Sequence, residues 1–497
     1  MVINFNKKRR QISLILLLVL FFAGTIYWSN NYVENDAMKI VNNKSINNYI
    51  IDVVFDDKAK KIKCNQNITY VNNTGKTLDK IYMHIYPNAF SDKKICPFEK
   101  SEIEKAYPNG FDEGYIEIKN ILNNGNKLEH NIKGEKNDIL EIVLDKNLND
   151  GEKYSIDIKY DVKIPNCLGR FGYGDNTINI TNWFPMCCVY DDRGWNLKSY
   201  ISLGDPFYSD IGNFTVNILI PSKYEIACTG SMVEEKTNEN NKLCKLQGKK
   251  VRDFAIILSD KFKINKSVYG HTSIITYSLN NDLAVESNKV ARESIKIFSE
   301  LFGEYPYDTY SVVASDFFIG GMEYPTLVMI DKNLYNENSK FLLEYVIAHE
   351  TAHQWWYSVV GNDEISEPWL DEALTEYSTV LYFENKYGEE MRDKLIKTME
   401  VQSENYKGVD IFRSSTEFKN STEYSLNVYT KGAVLFNEIR KKVGDKIFFE
   451  TLQEYYNNYM FQNVNKTKFI DIWKDKGVNI DEIVNQCDWI LNWRGKF

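Results

Sequence analysis

Two histidines and two glutamates in this chain have the types and spacing of a zinc site. Residues 349–353 read His-Glu-Thr-Ala-His, and Glu372 follows after eighteen intervening residues. A helix turns 100° per residue, so His349 and His353 share one face, where two imidazoles can bind one zinc ion. Glu372, from a second helix, can supply the third ligand. Glu350 reaches the same side and suits a base that takes a proton from zinc-activated water.

The same pattern could occur by chance on an amphipathic helix with a solvated glutamate. However, the chain has only 5 histidines, and two of them stand at a metal-binding spacing. Residues 341–348 are apolar enough for a buried helix, where polar groups without a partner would be costly. The pattern therefore predicts one zinc ion per chain.

The predicted secondary structure that positions these groups changes from strands to helices along the chain. Residues 48–265 contain alternating apolar segments separated by turn signals, and they predict a β domain. An amphipathic segment from Ala284 to Phe302 predicts a helix that ends at Gly303. Helical patterns continue to the end, so residues 266–497 are predicted to form a mostly helical catalytic domain. The predicted fold class is multidomain α+β.

Composition narrows the class of protein. The 497 residues are 43% hydrophobic and 26% charged, which suits two or three globular domains. The formal net charge of -9, without a basic stripe, argues against nucleic acid as a partner. No Cys-x-x-Cys pair occurs, which argues against a cysteine zinc site. Cys228 and Cys244 flank a polar loop and either form a disulfide or remain buried thiols.

The N-terminus predicts a membrane anchor. Residues 1–11 include four consecutive basic residues and form a predicted cytoplasmic tail, and residues 12–28 are an apolar run. The run predicts a single-pass transmembrane signal anchor that leaves the catalytic domain extracytoplasmic at the cell membrane. A cleaved signal peptide, which would give a secreted protein, is the alternative. The polar residues 29–47 are predicted to be a tether.

A second motif lies upstream of the histidines, at Gly320-Gly321-Met322-Glu323-Tyr324-Pro325. Glycines in a strand allow another backbone to approach, and a proline restricts the strand to a sheet edge. Such an edge can pair with an extended peptide, and Glu323 could hold the peptide's ammonium group. The alternative is a glycine turn with a solvated glutamate.

Together, these motifs resemble the aminopeptidase N and leukotriene hydrolase family of zinc metallopeptidases. That family carries Gly-x-Met-Glu-Asn upstream of His-Glu-x-x-His, with eighteen residues before the ligand glutamate. Here Tyr324 replaces the asparagine. Downstream, Tyr429-Thr430-Lys431-Gly432 resembles the family's Tyr-Glu-Lys-Gly, with Thr430 as a departure. The strong matches cover roughly residues 303–437.

The resemblance implies a saddle-like antiparallel β domain followed by a thermolysin-like catalytic domain. It implies that the chain hydrolyses N-terminal residues from peptides that have a free N-terminus. It also implies that Tyr429 stabilises the oxyanion and Glu323 binds the amine, while the substrate backbone is aligned by Gly320, Gly321 and Met322. A second anionic contact to the amine, which the family draws from its β domain, has no identifiable counterpart in the sequence.

Other interpretations must be weighed against this one. A metzincin would need glycine at 356 and histidine at 359, where this chain has Trp356 and Val359, so that class is excluded. A thermolysin-like enzyme uses a downstream histidine, and no histidine follows His353. A non-catalytic scaffold of the same fold, or a hydrolase of a lipid epoxide, stays an alternative function. Glu376 either accepts the outer N–H of a zinc-binding histidine or forms a surface salt bridge.

Overall fold

The computed structural model describes residues 45–279, 283–403 and 410–479. The basic tail at 1–11, the apolar run at 12–28 and most of the tether at 29–47 lie outside the described residues. Within the described ranges, no helix is both long and apolar enough to cross a membrane. The membrane anchor therefore stays a prediction.

Strands dominate the chain up to Ser278. In chain order, the strands are β1 Asn47–Asp56, β2 Lys61–Val71, β3 Leu78–His84, β4 Tyr115–Asn123, β5 Asn126–Lys127, β6 His130–Lys133, β7 Ile139–Leu148, β8 Lys153–Lys163, β9 Gly172–Tyr173, β10 Ile178–Ile180, β11 Met186–Cys187, β12 Tyr190–Asp191, β13 Gly194–Trp195, β14 Gly212–Pro221, β15 Glu225–Cys228, β16 Ser231–Thr237, β17 Asn241–Val251, β18 Ile256–Ser259, β19 Lys263–Tyr269, β20 Thr272–Ser278, β21 Thr309–Ser315, β22 Gly321–Met322, β23 Leu327–Asp331, β24 Val360–Asn362 and β25 Gln462–Val464.

An eight-stranded sheet, in the order β16-β17-β14-β1-β2-β8-β4-β5, forms most of the N-terminal part. Side chains alternate between buried and exposed along β1, and between buried and half-buried along β14, as expected for strands with one face on the core. Tyr49 and Phe214 stack across the buried face with ring centroids 4.5 Å apart. The sheet is antiparallel as predicted, except that β1 and β14 pair in parallel. Their separation along the chain allows the crossover that a parallel pair requires.

Helices dominate from Ala284 onward. In chain order, the helices are α1 Ile103–Ala106, α2 Ala284–Phe302, α3 Lys340–Ala352, α4 Trp369–Tyr387, α5 Glu389–Ser403, α6 Ser421–Ser425, α7 Gly432–Val443, α8 Asp445–Tyr459 and α9 Lys466–Lys474, with a π-helical turn at Leu426–Lys431. The predicted helix from Ala284 to Phe302 coincides with α2, and Gly303 follows it with a φ of 129°.

A five-stranded sheet supports the helical part, in the order β19-β20-β21-β23-β22. The strand β22 lies at its edge and pairs in antiparallel fashion with β23. The fold is thus α+β and multidomain, with a β-rich N-terminal part and a mainly helical C-terminal part. The predicted domain boundary between residues 265 and 266 falls inside β19, which already belongs to this second sheet. The exact boundary stays a prediction.

Arg252 connects the β-rich part to the helical part. Its guanidinium is buried and donates to backbone carbonyls on both sides, including Tyr357 O at 2.7 Å, Ser209 O at 2.8 Å and Gln462 O at 2.8 Å. A Cβ on Gly361 would lie 2.3 Å from the Arg252 Cζ, so this glycine makes room for the guanidinium. The segment that follows the histidine helix is therefore fixed from the β side.

All described cysteines are buried free thiols, Cys228 and Cys244 among them. The two lie on β15 and β17, which are not neighbours in any sheet. The disulfide considered from the sequence is not formed, and the buried-thiol alternative describes this structure.

Candidate metal centre and active site

The helix α3 carries both histidines to the second sheet. The Asn336 side chain accepts from the backbone N–H groups of Asn338 and Ser339, which caps the short 3₁₀ turn leading into α3. His349 lies in the last turn of α3, and His353 is the residue at which the helix ends. One helical turn therefore separates the two imidazoles, as the spacing predicted.

The imidazoles converge on one oxygen of Glu372, which lies in the first turn of α4. Glu372 Oε2 is 3.5 Å from the Nε2 of His349 and 3.2 Å from the Nε2 of His353. All three side chains are buried, yet this oxygen makes no hydrogen bond. Three ligand atoms that face a common point fit a tetrahedral zinc ion with one open position.

The protonation states of the two imidazoles and of Glu372 depend on one another. Burial would lower the pKa of His349, but its contacts with Glu372 and Glu376 raise that pKa to about 10. Burial would raise the pKa of Glu372, but the charge of His353 holds that pKa well below its usual range. The carboxylate thus keeps positive charge at the imidazoles, and a metal cation must replace those protons to bind.

The outer nitrogens of both imidazoles are also fixed. His349 Nδ1 lies 2.9 Å from Glu376 Oε2, and Glu376 in turn accepts the Tyr345 hydroxyl at 2.5 Å. His353 Nδ1 lies 3.1 Å from the backbone oxygen of Trp356. Such contacts fix the ring orientation and raise the basicity of metal-binding histidines. Of the two interpretations of Glu376, the structure supports the histidine contact over the surface salt bridge.

Glu376→Gln is expected to weaken zinc binding by about 10- to 100-fold, because an amide orients and polarises the His349 ring less well. The zinc affinity can be measured by competition with a chromophoric chelator. Glu384→Gln is the matched control, since Glu384 lies on the same helix but pairs with Arg392 and Arg440. An unchanged zinc affinity in Glu376→Gln would contradict this role.

Glu350 lies beside the predicted metal centre and directly over Gly321. A Cβ on Gly321 would lie 2.0 Å from Glu350 Oε1, so the absence of a side chain there makes room for the carboxylate. Glu350 Oε2 is buried without a hydrogen-bond partner. Burial raises the pKa of Glu350 to about 7, against the opposing charges of the two histidines. A carboxylate with a pKa near neutrality suits a general base.

Glu323 faces the same space from the edge of the second sheet. Its carboxylate is 4% exposed, and Oε1 has no hydrogen-bond partner. Gln354, the residue after His353, holds this segment by accepting from the backbone N–H of Thr326 at 2.7 Å. Burial and the charge of Asp205 raise the pKa of Glu323 well above its usual range. A carboxylate in this state favours a cationic partner.

Asp205 and Arg170 come from the β-rich part and were not found from the sequence. Asp205 is buried and paired with Arg170, and its charge acts on Glu323 and Glu372. Arg170 also donates from Nε to the Met322 sulfur at 2.9 Å. Asp205 is therefore a carboxylate of the β-rich part whose charge interacts with both Glu323 and Glu372. No local pattern marks it, because only the tertiary fold brings residue 205 to the metal centre.

Tyr324, which departs from the family motif, makes a specific contact with the β-rich part. Its buried hydroxyl lies 2.7 Å from Thr181 Oγ1 and donates to Asn182 Oδ1 at 2.8 Å. Asn182 begins the Asn-Trp-Phe-Pro stretch, which also diverges from the family pattern. The two departures therefore meet in space and together brace the segment that carries Glu323.

Tyr429 lies on the π-helical turn, and its side chain contacts the predicted metal ligands. Its hydroxyl donates a short hydrogen bond to Glu372 Oε1, and its ring stacks on His349 with centroids 5.7 Å apart. Burial and the nearby Glu372 raise the pKa of Tyr429 well above its usual value, so the hydroxyl stays protonated. A protonated phenol here can donate a hydrogen bond to a developing oxyanion.

The structure thus brings together His349, His353, Glu372, Glu350, Glu323 and Tyr429, with Gly321 and Met322 on the adjoining strand. Gly320 precedes that strand with a φ of 103°, a left-handed conformation that favours glycine. Within the described residues, the His349–His353–Glu372 set is one of two groups whose ligand atoms lie within 4.8 Å of one another. The other is Glu323, Glu350 and His353. The individual roles of these residues stay predictions.

Comparison with known proteins finds similarity to a peptidase family over part of the chain. Residues 286–488 match the model of the Peptidase family M1 domain. Aminopeptidase 2 of Candida albicans is 27% identical over 250 residues, which cover 45% of this chain and 25% of that protein. Leukotriene A-4 hydrolase of Xenopus laevis is 27% identical over 261 residues, which cover 49% of this chain and 39% of that protein. The matches thus span well under half the length of these relatives.

Solved structures share the fold. An M1 zinc metallopeptidase from Deinococcus radiodurans superimposes with a TM-score of 0.65 at 16% identity, covering 91% of this chain and 96% of that chain. A mutant of an M1 zinc metallopeptidase from the same organism, described as bound to a Tyr-Ser-Ala substrate, gives a TM-score of 0.65 at 15% identity, covering 91% of this chain and 95% of that chain. The two-part architecture described above is therefore the architecture of these structures.

Proposed function

We propose, from the peptidase family M1 domain that residues 286–488 form, that this chain is a zinc-dependent aminopeptidase. The domain confirms the family resemblance drawn from the motifs. One observation carries the proposal: two imidazole nitrogens and a carboxylate oxygen converge on one point, beside a buried base and a buried carboxylate that has an unpaired oxygen. The chemistry that this arrangement supports is hydrolysis of the N-terminal peptide bond.

His349, His353 and Glu372 would hold the zinc ion, with Glu376 orienting the first of them. When bound, the ion lowers the pKa of water and polarises the substrate carbonyl, which is its usual contribution in hydrolases. The donor set of two imidazoles and one carboxylate is typical of zinc hydrolases that keep one position open.

The other steps of the reaction are assigned to residues of the chain. Glu350 accepts a proton from the attacking water and passes it to the leaving amine. Glu323, with Asp205 behind it, binds the ammonium group of the substrate and so selects the first peptide bond. The edge strand β22 offers backbone hydrogen bonds to an extended peptide. The hydroxyl of Tyr429 donates a hydrogen bond to the oxyanion.

A reporter assay tests the proposal. The purified protein is expected to contain one zinc ion per chain and to hydrolyse leucyl-aminocoumarin but not its N-acetylated form, because the acetyl group removes the charge that Glu323 binds. Equal turnover of the two substrates would contradict an aminopeptidase. Metal analysis that finds no stoichiometric zinc would contradict the metal centre and favour the non-catalytic scaffold instead.

The location of the protein is a separate proposal, supported by the sequence alone. We propose that residues 12–28 anchor the chain in the cell membrane, with the catalytic part extracytoplasmic. The support is the basic flank that precedes the apolar run. Detection of the original N-terminus on the membrane-bound protein would support an anchor, and a new N-terminus after the apolar run would contradict it.

A further inference from the structure

We propose that Glu364 and Asp371 form a second anionic subsite beside the metal centre, which binds the cationic side chain of a lysine or arginine in the substrate. The inference rests on the proposed peptidase function and names its class of substrate. It starts from two buried carboxylates that the catalytic mechanism does not use.

Glu364 is 1% exposed, and neither of its carboxylate oxygens has a hydrogen-bond partner. Its neighbour Asp363 is similarly buried but pairs with Arg193 and Lys198 and accepts from Ser366. The two adjacent residues therefore show the contrast between a structural carboxylate and an unmatched one. A buried carboxylate without a partner is disfavoured in its charged form, so a ligand that supplies positive charge would stabilise it.

Asp371 and Tyr357 also present unpaired polar atoms, and each of them interacts electrostatically with Glu364. Asp371 is 1% exposed; its Oδ1 accepts from Asn362 at 3.2 Å, whereas its Oδ2 has no partner. The buried hydroxyl of Tyr357 also has no partner; burial raises its pKa well above the usual value, and the charge of Glu364 adds to this effect. Tyr357 adopts a φ of 138°, which is rare for a non-glycine residue and shows that its position is imposed by the surroundings.

The subsite adjoins the groups that would hold the substrate amine. Burial raises the pKa of Glu364 well above its usual range, and the charges of four carboxylates add to this effect: Asp371, Glu323, Asp205 and Glu372. Cations in the vicinity have other partners. Arg170 is paired with Asp205. Arg252 interacts with Glu364 through its charge, but its N–H groups donate mainly to backbone carbonyls.

An organic cation fits this subsite better than a metal ion. Within the described residues, neither Glu364 nor Asp371 belongs to a group of three ligand atoms close enough to hold one ion. An ammonium or guanidinium group carries several N–H donors and needs only hydrogen-bond acceptors. The oxygens of the two carboxylates can supply these acceptors. The planar fork of arginine is especially suited to carboxylates.

Equilibrium binding tests this subsite independently of catalysis. The titrations use zinc-loaded Glu350→Gln protein as the parent, because amino-acid amides are themselves substrates of the proposed reaction; this parent counts as the wild type with respect to Glu364. It is titrated by calorimetry with L-arginine amide and with L-citrulline amide, which has nearly the same shape but no side-chain charge. Both amides carry the same α-ammonium group, so the contribution of Glu323 cancels in the ratio. We expect arginine amide to bind at least about tenfold more tightly, as for a charged hydrogen bond.

Glu364→Gln is expected to reduce that ratio to near one. The matched control is Glu141→Gln, which removes a buried carboxylate of the β-rich part that pairs with Lys80 and Lys133. The control is expected to keep the wild-type ratio. Equal binding of the two amides to the wild type, or a ratio that survives in Glu364→Gln, would overturn the proposal.

Two further readouts separate the alternatives. A second divalent ion that metal analysis finds in the wild type but not in Glu364→Gln would overturn the proposal in favour of an inorganic cation. Failure to hydrolyse any aminoacyl reporter, together with selective binding of arginine amide, would refute the peptidase function and leave the cation subsite supported. Hydrolysis of leucyl reporters without selective binding of arginine amide would refute the cation subsite and leave the peptidase function supported.

Discussion

Glu350→Gln is expected to lower kcat by about 10³-fold while the protein keeps its full zinc content. Glutamine has the same shape as glutamate but cannot accept a proton at neutral pH. The side chain does not contribute a metal ligand to the set of His349, His353 and Glu372, so the metal centre should persist. The measurement is the steady-state rate on a leucyl reporter together with metal analysis, with metal-stripped wild type as the background.

The control for this variant is Glu344→Gln on the same helix. Glu344 is also buried, but it accepts the hydroxyls of Tyr382 and Tyr387 and pairs with Lys386, away from the metal centre. It should leave kcat nearly unchanged. A Glu350→Gln protein that retained more than about a tenth of the wild-type kcat with stoichiometric zinc would exclude Glu350 as the general base.

Tyr429→Phe is expected to lower kcat by about 10²- to 10³-fold with little change in KM, since one oxyanion donor typically contributes this much. The phenyl ring can still stack on His349, so the variant removes the hydroxyl and keeps the packing. The measurement is a full kcat and KM determination, with zinc content measured on the same preparation.

The zinc content matters because the Tyr429 hydroxyl also donates to Glu372. Loss of zinc along with activity would show that Tyr429 acts through the metal ligand and not on the oxyanion. Tyr377→Phe is the matched control, because the Tyr377 hydroxyl contacts Asn437, at 3.4 Å, and Arg440, and neither residue is a metal ligand. A change confined to KM in Tyr429→Phe would show a role in substrate binding.

Local patterns predicted the centre of the site well. The His-Glu-x-x-His spacing depends on one helical turn, and the structure places both imidazoles one turn apart around a common oxygen. Pro325 predicted a sheet edge, and β22 is at the edge of the second sheet. The sequence suggested that glycine at position 321 lets another backbone approach. In the structure, Gly321 instead makes room for the Glu350 carboxylate.

Contacts between distant segments could not be predicted. Asp205 and Arg170 belong to the β-rich part, and no periodicity or motif marks them as neighbours of the metal centre. Tyr324 is an isolated departure in the sequence, whereas in the fold its hydroxyl lies against Thr181 and Asn182. Glu364 carries no sequence signal either, because its significance lies in having no partner in the folded chain.

Arg252 has a practical consequence for dividing the molecule. A fragment that starts at the second sheet would lack this guanidinium and leave its carbonyl acceptors near Tyr357 and Gln462 without their donor. It would also lose Asp205 and the anchoring oxygens that Tyr324 uses. We therefore expect the helical half to be unstable on its own, and truncations should retain the β-rich strands that supply these contacts.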